Sequence, residues 1–377
     1  SWSSSQSDYV SSDAEDSSFF SRSSGGSGSL PSVDSIGRML VQLEENDAAL
    51  TELTIDCTSI DKETAADIGQ FLPANTYLQK LRLQCSNRTR HRQIFRKVVK
   101  NLKENNSIET IAVQGAEIDR EIASWLLPSF SLNQKIKHIS MANCTFVQSG
   151  LGILFVAMMQ HGTHIRHLGF NSCTWDEYNA DIVASSLPFM GLHSLSLIDI
   201  NIAGEGWPYL FRNIMNCKQL IHLDLSRNEL NASSIHLFMK SLTVQKTISK
   251  LTLSACGLDD ECMKELMKGL RTYPTLTNLD ISQNKNMTDK GVVYLRDLLK
   301  FSNSIVQLNV DGCGLNEQSI NAIDSGLRYN NSFLKSFFSE KTSQRLFGVV
   351  DTIEKIDISE MNRDILEAVS FDLDKRQ

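Results

Sequence analysis

The sequence LIHLDLSRNEL at residues 220–230 and the sequence ISKLTLSACGL at residues 248–258 decide the fold of this chain. Both carry apolar residues at offsets 0, 3, 5 and 10 and an Asn or a Cys at offset 8. Self-similarity at a fixed period is the signature of a repeat architecture. Ten copies of the pattern, with a period of 27 to 30 residues, start at residues 50, 78, 108, 136, 165, 192, 220, 248, 276 and 305.

Each copy changes from strand spacing to helical spacing. The alternation around offsets 3 and 5 predicts a short strand, and later residues such as Cys262, Leu266 and Leu270 follow the helical period. One strand and one helix cannot bury their own apolar faces, so neighbouring copies must stack with the strands inside an arc and the helices outside. Four side chains at the junctions suit helix N-capping: Asp61, Asp119, Asp259 and Asn316.

The period and the Cys or Asn turn position resemble the ribonuclease-inhibitor class of leucine-rich repeats over residues 34–338. The resemblance implies an α/β solenoid, a horseshoe with parallel strands on its concave face and helices on its convex face. We expect residues 34–46 to form an N-terminal capping helix. An eleventh copy begins at Phe333 and decays at once, and we expect residues 339–377 to cap the C-terminal end.

Residues 1–33 have a different composition, with 14 serines in the first 30 positions. Such a composition predicts a disordered, acidic tail. Ser5, Ser11 and Ser12 precede acidic residues, so the tail is either a target of acid-directed phosphorylation or a solubilising segment. The acidic residues of the tail are Asp8, Asp13, Glu15 and Asp16.

The whole composition excludes several classes of protein. A hydrophobic fraction of 41% supports a folded core, and a net charge of −7 argues against a nucleic-acid partner. No apolar run approaches the roughly 18 to 20 residues that would span a membrane, and no secretory signal is visible. The sequence therefore predicts a soluble protein.

Cysteine spacing favours packing over chemistry. Cys144, Cys173, Cys256 and Cys313 occupy offset 8, whereas Cys57 and Cys85 fall one residue earlier. No pair of CxxC motifs suggests zinc, so we predict no metal site. Free buried thiols are typical of a reducing compartment, which predicts a cytoplasmic location with the nucleus as the alternative.

Polar residues at offsets 2, 4 and 6 should line the concave face. His138, His167 and His222 share offset 2, where a metal or pH-sensitive contact competes with an ordinary polar surface role. Acidity increases towards the C-terminal repeats, and the face has almost no aromatic residues. We therefore predict that it binds through charge complementarity, with Asp224, Asp280 and Asp311 as candidate contacts.

The segment RLQCSNRTRHRQIFRKVVKNLK concentrates positive charge in an otherwise acidic chain. Its copy is two residues longer than its neighbours, so we expect residues 88–92 to form a protruding loop. The planar guanidinium group of arginine can form two parallel hydrogen bonds to a carboxylate or a phosphate. The arginines therefore predict docking of an acidic or phosphorylated partner, or of the phosphorylated tail. A solvated helix face is the alternative. The candidate binding residues are Arg82, Arg88, Arg90, Arg92, Arg96, Lys97 and Lys100.

No motif for catalysis or phosphate cradling is present, so we predict a non-catalytic protein-interaction scaffold without a cofactor. Residues 220–242 are similar to repeats of CARMIL-type and tropomodulin-type actin regulators, which implies cytoskeletal regulation. The layout also resembles GTPase-activating proteins of the nuclear-transport GTPase, for which Arg88, Arg90 or Arg92 would supply the key arginine. A third class is a sensor module of an immune receptor or pathogen effector, against which the lack of a preceding nucleotide-binding domain argues.

Overall fold

The computed structural model describes residues 33–343, except for 148, 162–163, 176, 201, 203–205 and 303. Within this part of the chain the ten predicted repeats form one parallel sheet, in which the ten strands neighbour one another in chain order. The predicted α/β leucine-rich repeat solenoid is therefore confirmed. The ten strands are β1 (Glu52–Asp56), β2 (Lys80–Gln84), β3 (Thr110–Gln114), β5 (His138–Ala142), β7 (His167–Asn171), β8 (Ser194–Ile198), β9 (His222–Asp224), β10 (Lys250–Thr252), β11 (Asn278–Asp280) and β12 (Gln307–Asn309).

A helix follows each of these strands, and two additional short strands, β4 (Glu117–Ile118) and β6 (Thr145–Phe146), pair at the turns of the third and fourth repeats. One further helix precedes the first repeat. The described helices are α1 (Val33–Glu44), α2 (Lys62–Phe71), α3 (Thr89–Val99), α4 (Arg120–Leu132), α5 (Gly150–His161), α6 (Glu177–Ser186), α7 (Gly206–Ile214), α8 (Ala232–Leu242), α9 (Asp260–Leu270), α10 (Asp289–Phe301) and α11 (Glu317–Ser343).

Neighbouring strands of the large sheet pair without a register shift. His138 lies opposite His167, and Leu223 lies opposite Leu251. Because side chains alternate between the two faces of a strand, residues at the same offset form columns that run from repeat to repeat. One face of the sheet carries the apolar offsets, and the other carries the polar residues at offsets 2, 4 and 6.

The apolar offsets build one continuous core between the strands and the helices. Leu223, Leu225 and Leu230 are at most 3% exposed, and offsets 3 and 5 of the other internal repeats are also buried. The helices add large side chains to the same core, including the buried rings of Phe95 and Phe130. As predicted, Phe146 and Trp175 at offset 10 are packing residues.

Where offset 8 holds an Asn or a Cys, this residue joins its repeat to the preceding one. Asn228 Nδ2 donates to the carbonyl oxygens of Leu197 and Leu225, each at 2.7 Å, and its Oδ1 accepts from the Ile200 N–H at 2.8 Å. Cys256 takes the same place in the next repeat, and its Sγ lies 3.2 Å from the Leu225 carbonyl oxygen. This polar contact inside an apolar turn explains why the pattern alternates between Asn and Cys.

The residue before it, at offset 7, adopts the left-handed conformation. Gly115 and Gly312 have φ of 70° and 71°, where glycine has no steric penalty. In the intervening repeats the same position is held by residues other than glycine, with φ between 50° and 63°: Asn143, Ser172, Asp199, Arg227, Ala255 and Gln283. Because residues of many types occupy offset 7, the sequence has no glycine pattern from which this turn could be predicted.

A second set of polar side chains links the repeats at offset −3, where each helix returns to the next strand. Asn105 Nδ2 donates to the carbonyl oxygens of Leu72 and Asn75, and Asn133 Nδ2 donates to those of Leu102 and Asn105. Asn330 continues the series at the far end by donating to Ser302 and Ile305. Both edges of the stack are therefore held by buried side-chain hydrogen bonds.

The helix starts follow the prediction. Asp61, Asp119 and Asp259 occupy N-cap positions and accept hydrogen bonds from backbone N–H groups of the first turn. Asn316 Oδ1 accepts from the Ser319 N–H at 2.9 Å in the same manner. These contacts satisfy N–H groups that have no partner within the helix.

The two ends of the solenoid differ. The predicted N-terminal helix is present as α1, which packs Leu43 and Met39 against the first repeat. At the other end α11 continues through Phe333, so this residue lies in a helix and not in an eleventh strand. The tail at residues 1–32 and the segment 344–377 lie outside the described residues, and their predicted roles stay predictions. No helix in the described ranges is long and apolar enough to cross a membrane.

We expect Asn228→Ala to lower the free energy of unfolding by about 2 to 4 kcal/mol, because buried backbone groups lose their partners. Asn228→Cys should cost clearly less, since a thiol at this offset still reaches the neighbouring carbonyl oxygens. Urea unfolding followed by circular dichroism measures both variants. Equal losses for the two would show that the hydrogen bond at offset 8 is not what holds the repeats.

Candidate interaction surfaces

The basic segment forms a helix and not a protruding loop. Helix α3 begins at Thr89, nine residues after β2 begins, whereas α2 begins ten residues after β1 begins. The two extra residues of this repeat therefore lengthen the helical part, so the prediction of a loop at 88–92 is wrong. The helix forms here because Ile94, Phe95 and Val98 bury one of its faces.

The other faces of α3 carry exposed positive charge. Arg88 precedes the helix at the N-cap position, and the helix contains no acidic residue. The Lys97 Nζ donates to the Lys62 carbonyl oxygen at 3.0 Å, and the Arg96 guanidinium lies over the Trp125 ring at 5.5 Å. We call the following exposed residues the basic helix surface: Arg88, Arg90, Arg96, Lys97 and Lys100.

Arg92 belongs to the stack and not to that surface. Its side chain is 14% exposed, and its guanidinium contacts Asp119 Oδ2 at 2.6 Å and Glu121 Oε2 at 3.0 Å. Burial opposes ionisation of Asp119, but the Ile122 N–H bond and the Arg92 charge outweigh it and lower the pKa of that carboxyl. Because Asp119 also caps α4, this ion pair ties the second repeat to the third.

Arg82 lies on the opposite side of the molecule. It belongs to β2, at an offset that faces the concave side, and its guanidinium contacts Glu52 Oε1 of the first repeat at 3.3 Å. The predicted basic segment is therefore divided between two faces. Only the part that follows Asn87 contributes to the convex surface.

The concave histidines contact one another as the register predicts. The rings of His138 and His167 stack in parallel, with centroids 4.0 Å apart and 3° between their planes. Stacked rings do not direct their nitrogens to one point between them, so this pair is not a chelating arrangement. His222 Nδ1 lies 3.3 Å from Ser194 Oγ. Among the described residues no group of three His, Cys, Asp or Glu side chains could hold a metal ion.

Asp224 differs from the expected open contact on the concave face. It is 5% exposed and accepts from the Ser226 N–H at 2.9 Å and the Ser226 Oγ–H at 2.6 Å. Asp280 accepts from the Ser282 N–H in the same way and also from Asn309 Nδ2 at 3.0 Å. These carboxylates close turns that end short strands. Of the three predicted acidic contacts, only Asp311 is exposed.

The cysteines have the structural role that their spacing predicts. Within the described residues all eight are free, and all except Cys313 are buried. Burial raises the pKa of the Cys256 thiol to about 12, which makes it a poor nucleophile at neutral pH.

Sequence comparison with known proteins supports the presence of leucine-rich repeats in this chain. No protein-family model matches the sequence. Over 190 residues, 49% of this chain, it is 27% identical to mouse "NACHT, LRR and PYD domains-containing protein 4E". Over 182 residues, 47% of this chain, it is 28% identical to human "NACHT, LRR and PYD domains-containing protein 5". Human protein 14 of the same series is 24% identical over 211 residues, 55% of this chain. The chain covers 15% to 19% of the length of these relatives.

We expect Arg92→Ala to lower the free energy of unfolding by about 1 to 3 kcal/mol, because Asp119 loses its partner in a site that is only 15% exposed. Arg90→Ala, on the exposed surface, should change it by less than about 0.5 kcal/mol. The lowered pKa of Asp119 means that its contribution is present above the unfolded-state pKa and is lost as pH falls through the folded-state pKa. Urea titrations at pH 7 and pH 3 should therefore show a large deficit that shrinks in acid. A deficit independent of pH would contradict the ion pair.

Asp224 should have the opposite pH dependence. Burial raises its folded-state pKa, the Ser226 hydrogen bonds only partly oppose this, and the Asp280 charge adds to the increase. Ionisation of Asp224 therefore lowers the free energy of unfolding as pH rises from the unfolded-state pKa through the folded-state pKa. The loss is about 1.4 kcal/mol for each pH unit that separates the two pKa values. We expect Asp224→Asn to stabilise the protein at pH 7 and to leave it unchanged at pH 3, with exposed Asp311→Asn as the control. A less stable Asp224→Asn variant at pH 7 would contradict this assignment.

Proposed function

We propose that this chain is a non-catalytic interaction scaffold whose basic helix surface binds an acidic or phosphorylated segment of a partner protein. The observation that carries the proposal is a set of five exposed cations on helix α3 and its two caps, in a chain of net charge −7. Within the described residues, no carboxylate lies within 4.0 Å of Arg88, Arg90 or Lys100. Their charge is therefore available for a ligand.

The contrast with the other convex helices supports this surface. Helix α9 mixes Glu261 and Lys264, which form an ion pair at 2.8 Å on its own surface. A solvated helix face usually carries both signs in this way. Helix α3 carries positive charges only. Its surface arginines, Arg90 and Arg96, can each present a planar guanidinium group to a carboxylate or phosphate.

A repeat scaffold is the architecture that suits such a role. Stacked repeats present an extended rigid surface, and the relatives are proteins whose names include LRR, for leucine-rich repeat. Buried free cysteines favour the cytoplasm or nucleus. The cytoskeletal and GTPase-activating hypotheses, the latter resting on an arginine at 88–92, stay predictions.

The finer family assignment is also part of the proposal. The repeat period and the Asn or Cys ladder at offset 8 support membership of the ribonuclease-inhibitor class. The relatives' names mention NACHT and PYD domains, and we propose only that this chain shares their repeat module. No nucleic acid is expected as a partner, because the basic surface is confined to one helix and its flanks.

Charge-neutral variants of the full chain test the function. The probe is a fluorescein-labelled peptide of alternating Glu and Ser, with and without phosphate on its serines. We expect Arg88→Gln, Arg90→Gln and Lys100→Gln together to weaken binding of either peptide about tenfold or more, because three charge contacts of about 0.5 kcal/mol each are lost. Fluorescence anisotropy measures the affinity at two salt concentrations.

The matched control removes three charges from another convex region. Lys285, Lys290 and Lys300 are exposed and lie in the ninth repeat, which starts at residue 276, so their replacement by Gln changes the net charge equally. This control should bind within twofold of the unmodified chain. Equal losses in the two triple variants would mean that only net charge attracts the peptide, and the proposal would fail.

A further inference from the structure

We propose that the acidic N-terminal segment Asp8–Asp16 of this chain docks on its own basic helix surface and competes there with the partner. The inference rests on the proposed function, because it uses the same surface, and it adds the regulation of that surface. Four observations support it: the charge of the segment, the charge of the helices within its reach, the length of the connection and the direction in which Lys97 extends.

The segment and the surface are complementary in charge. Residues 8–16 read DYVSSDAED and contain four acidic residues and no basic one. Arg22 is the only Lys or Arg in residues 1–32. The basic helix surface carries five cations, so contact between the two neutralises charge on both sides. Carboxylates and arginine guanidinium groups also form charge-assisted hydrogen bonds, which fix the orientation of the two groups relative to each other.

Helix α3 is the nearest positive surface along the stack. Helix α1 carries Asp34, Arg38 and Glu44, and α2 carries Lys62, Glu63 and Asp67, so each has a net charge of −1. Helix α4 carries Arg120 and Glu121, which balance one another. An acidic segment attached to α1 is therefore repelled by the first two helices and attracted by the third.

The connection is long enough. Asp16 precedes Val33, the first residue of α1, by 17 residues, which can span at most about 60 Å. Helix α1 packs on α2, and α2 packs on α3. With about 10 Å between packed helices, α3 lies about 20 Å from α1, well within that reach.

One cation of the basic helix surface, Lys97, extends towards α2, which lies on the α1 side of α3. Lys97 Nζ reaches the Lys62 carbonyl oxygen at the start of α2. The pKa of the Asp61 carboxyl, which caps the same helix, is lowered mainly by hydrogen bonds from Thr64. The positive charge of Arg90 lowers that pKa further. The Lys97 side chain therefore reaches from α3 to the start of α2, the helix on which α1 packs.

Tethering makes even a weak contact competitive. A short linker gives an effective concentration of about 1 mM. If the segment binds the surface with a Kd of about 0.1 mM, a competing peptide should bind the full chain about tenfold more weakly than it binds a chain whose tail has lost its charge. This ratio is the quantity that the experiment measures.

The experiment uses the full chain with Asp8→Asn, Asp13→Asn, Glu15→Gln and Asp16→Asn, and the Glu/Ser peptide as the probe. We expect this tail variant to bind the peptide about tenfold more tightly than the unmodified chain at low salt. The gain should disappear when Arg88→Gln, Arg90→Gln and Lys100→Gln are added. Equal affinity of the tail variant and the unmodified chain, with loss of binding in the helix variant, would overturn the inference and leave the proposed function standing. Absence of peptide binding in the tail variant itself would overturn both.

Carbodiimide cross-linking gives an independent measurement. This reagent joins a carboxylate and an amine only in direct contact, so we expect peptides that link residues 8–16 to Lys97 or Lys100 in the full chain. Links to Lys285, Lys290 or Lys300 at comparable yield would contradict specific docking. A mixture of ¹⁵N-labelled and unlabelled chains separates the two origins of a link, and mixed links as the main product would show that the segment docks on a second copy and not in cis.

Discussion

Backbone groups at both edges of a repeat depend on side chains of a neighbouring repeat. At the turns after β9 and β11, Asn228 and Asn284 each donate to two backbone carbonyl oxygens and accept a hydrogen bond from a buried N–H. At the return from each helix, Asn105 and Asn133 do the same for the carbonyl oxygens of the preceding connection. A buried backbone group without a partner is costly. One repeat alone would leave several such groups, which is why the repeats form only as a stack.

The same constraint determines where charged side chains can act. Because the stack fixes the position of every helix, the residues on its outer faces are held on a rigid support. Arg92 adds to that support, since it joins α3 to the cap of α4 through Asp119. The neighbouring cations Arg88 and Arg90 are thereby placed at a defined end of a defined helix, and binding need not order the backbone beneath them.

Much of this architecture is readable from the sequence, because apolar periodicity and capping residues are local signals. The ten strands, the N-terminal helix and the four caps follow from them. The loop predicted at 88–92 was wrong, because an insertion of two residues does not reveal whether it lengthens the turn or the helix. Asp224 was misassigned for a different reason. An acidic residue on a strand is equally compatible with a ligand contact and with closing a turn, and only the hydrogen bond from Ser226 distinguishes the two roles.

The concave and convex faces use their polar groups differently. On the concave face the side chains contact their neighbours in adjacent repeats: His138 stacks on His167, and Ser254 Oγ lies 2.9 Å from Ser282 Oγ. Such lateral contacts use hydrogen-bonding capacity within the sheet and leave a face with little uncompensated charge. On α3 only Arg92 forms an ion pair among the described residues, and the cations of the basic helix surface are left without one. A surface whose charge the fold does not fully neutralise gains most from an acidic ligand, and for that reason we propose the outer side of this solenoid as its binding surface.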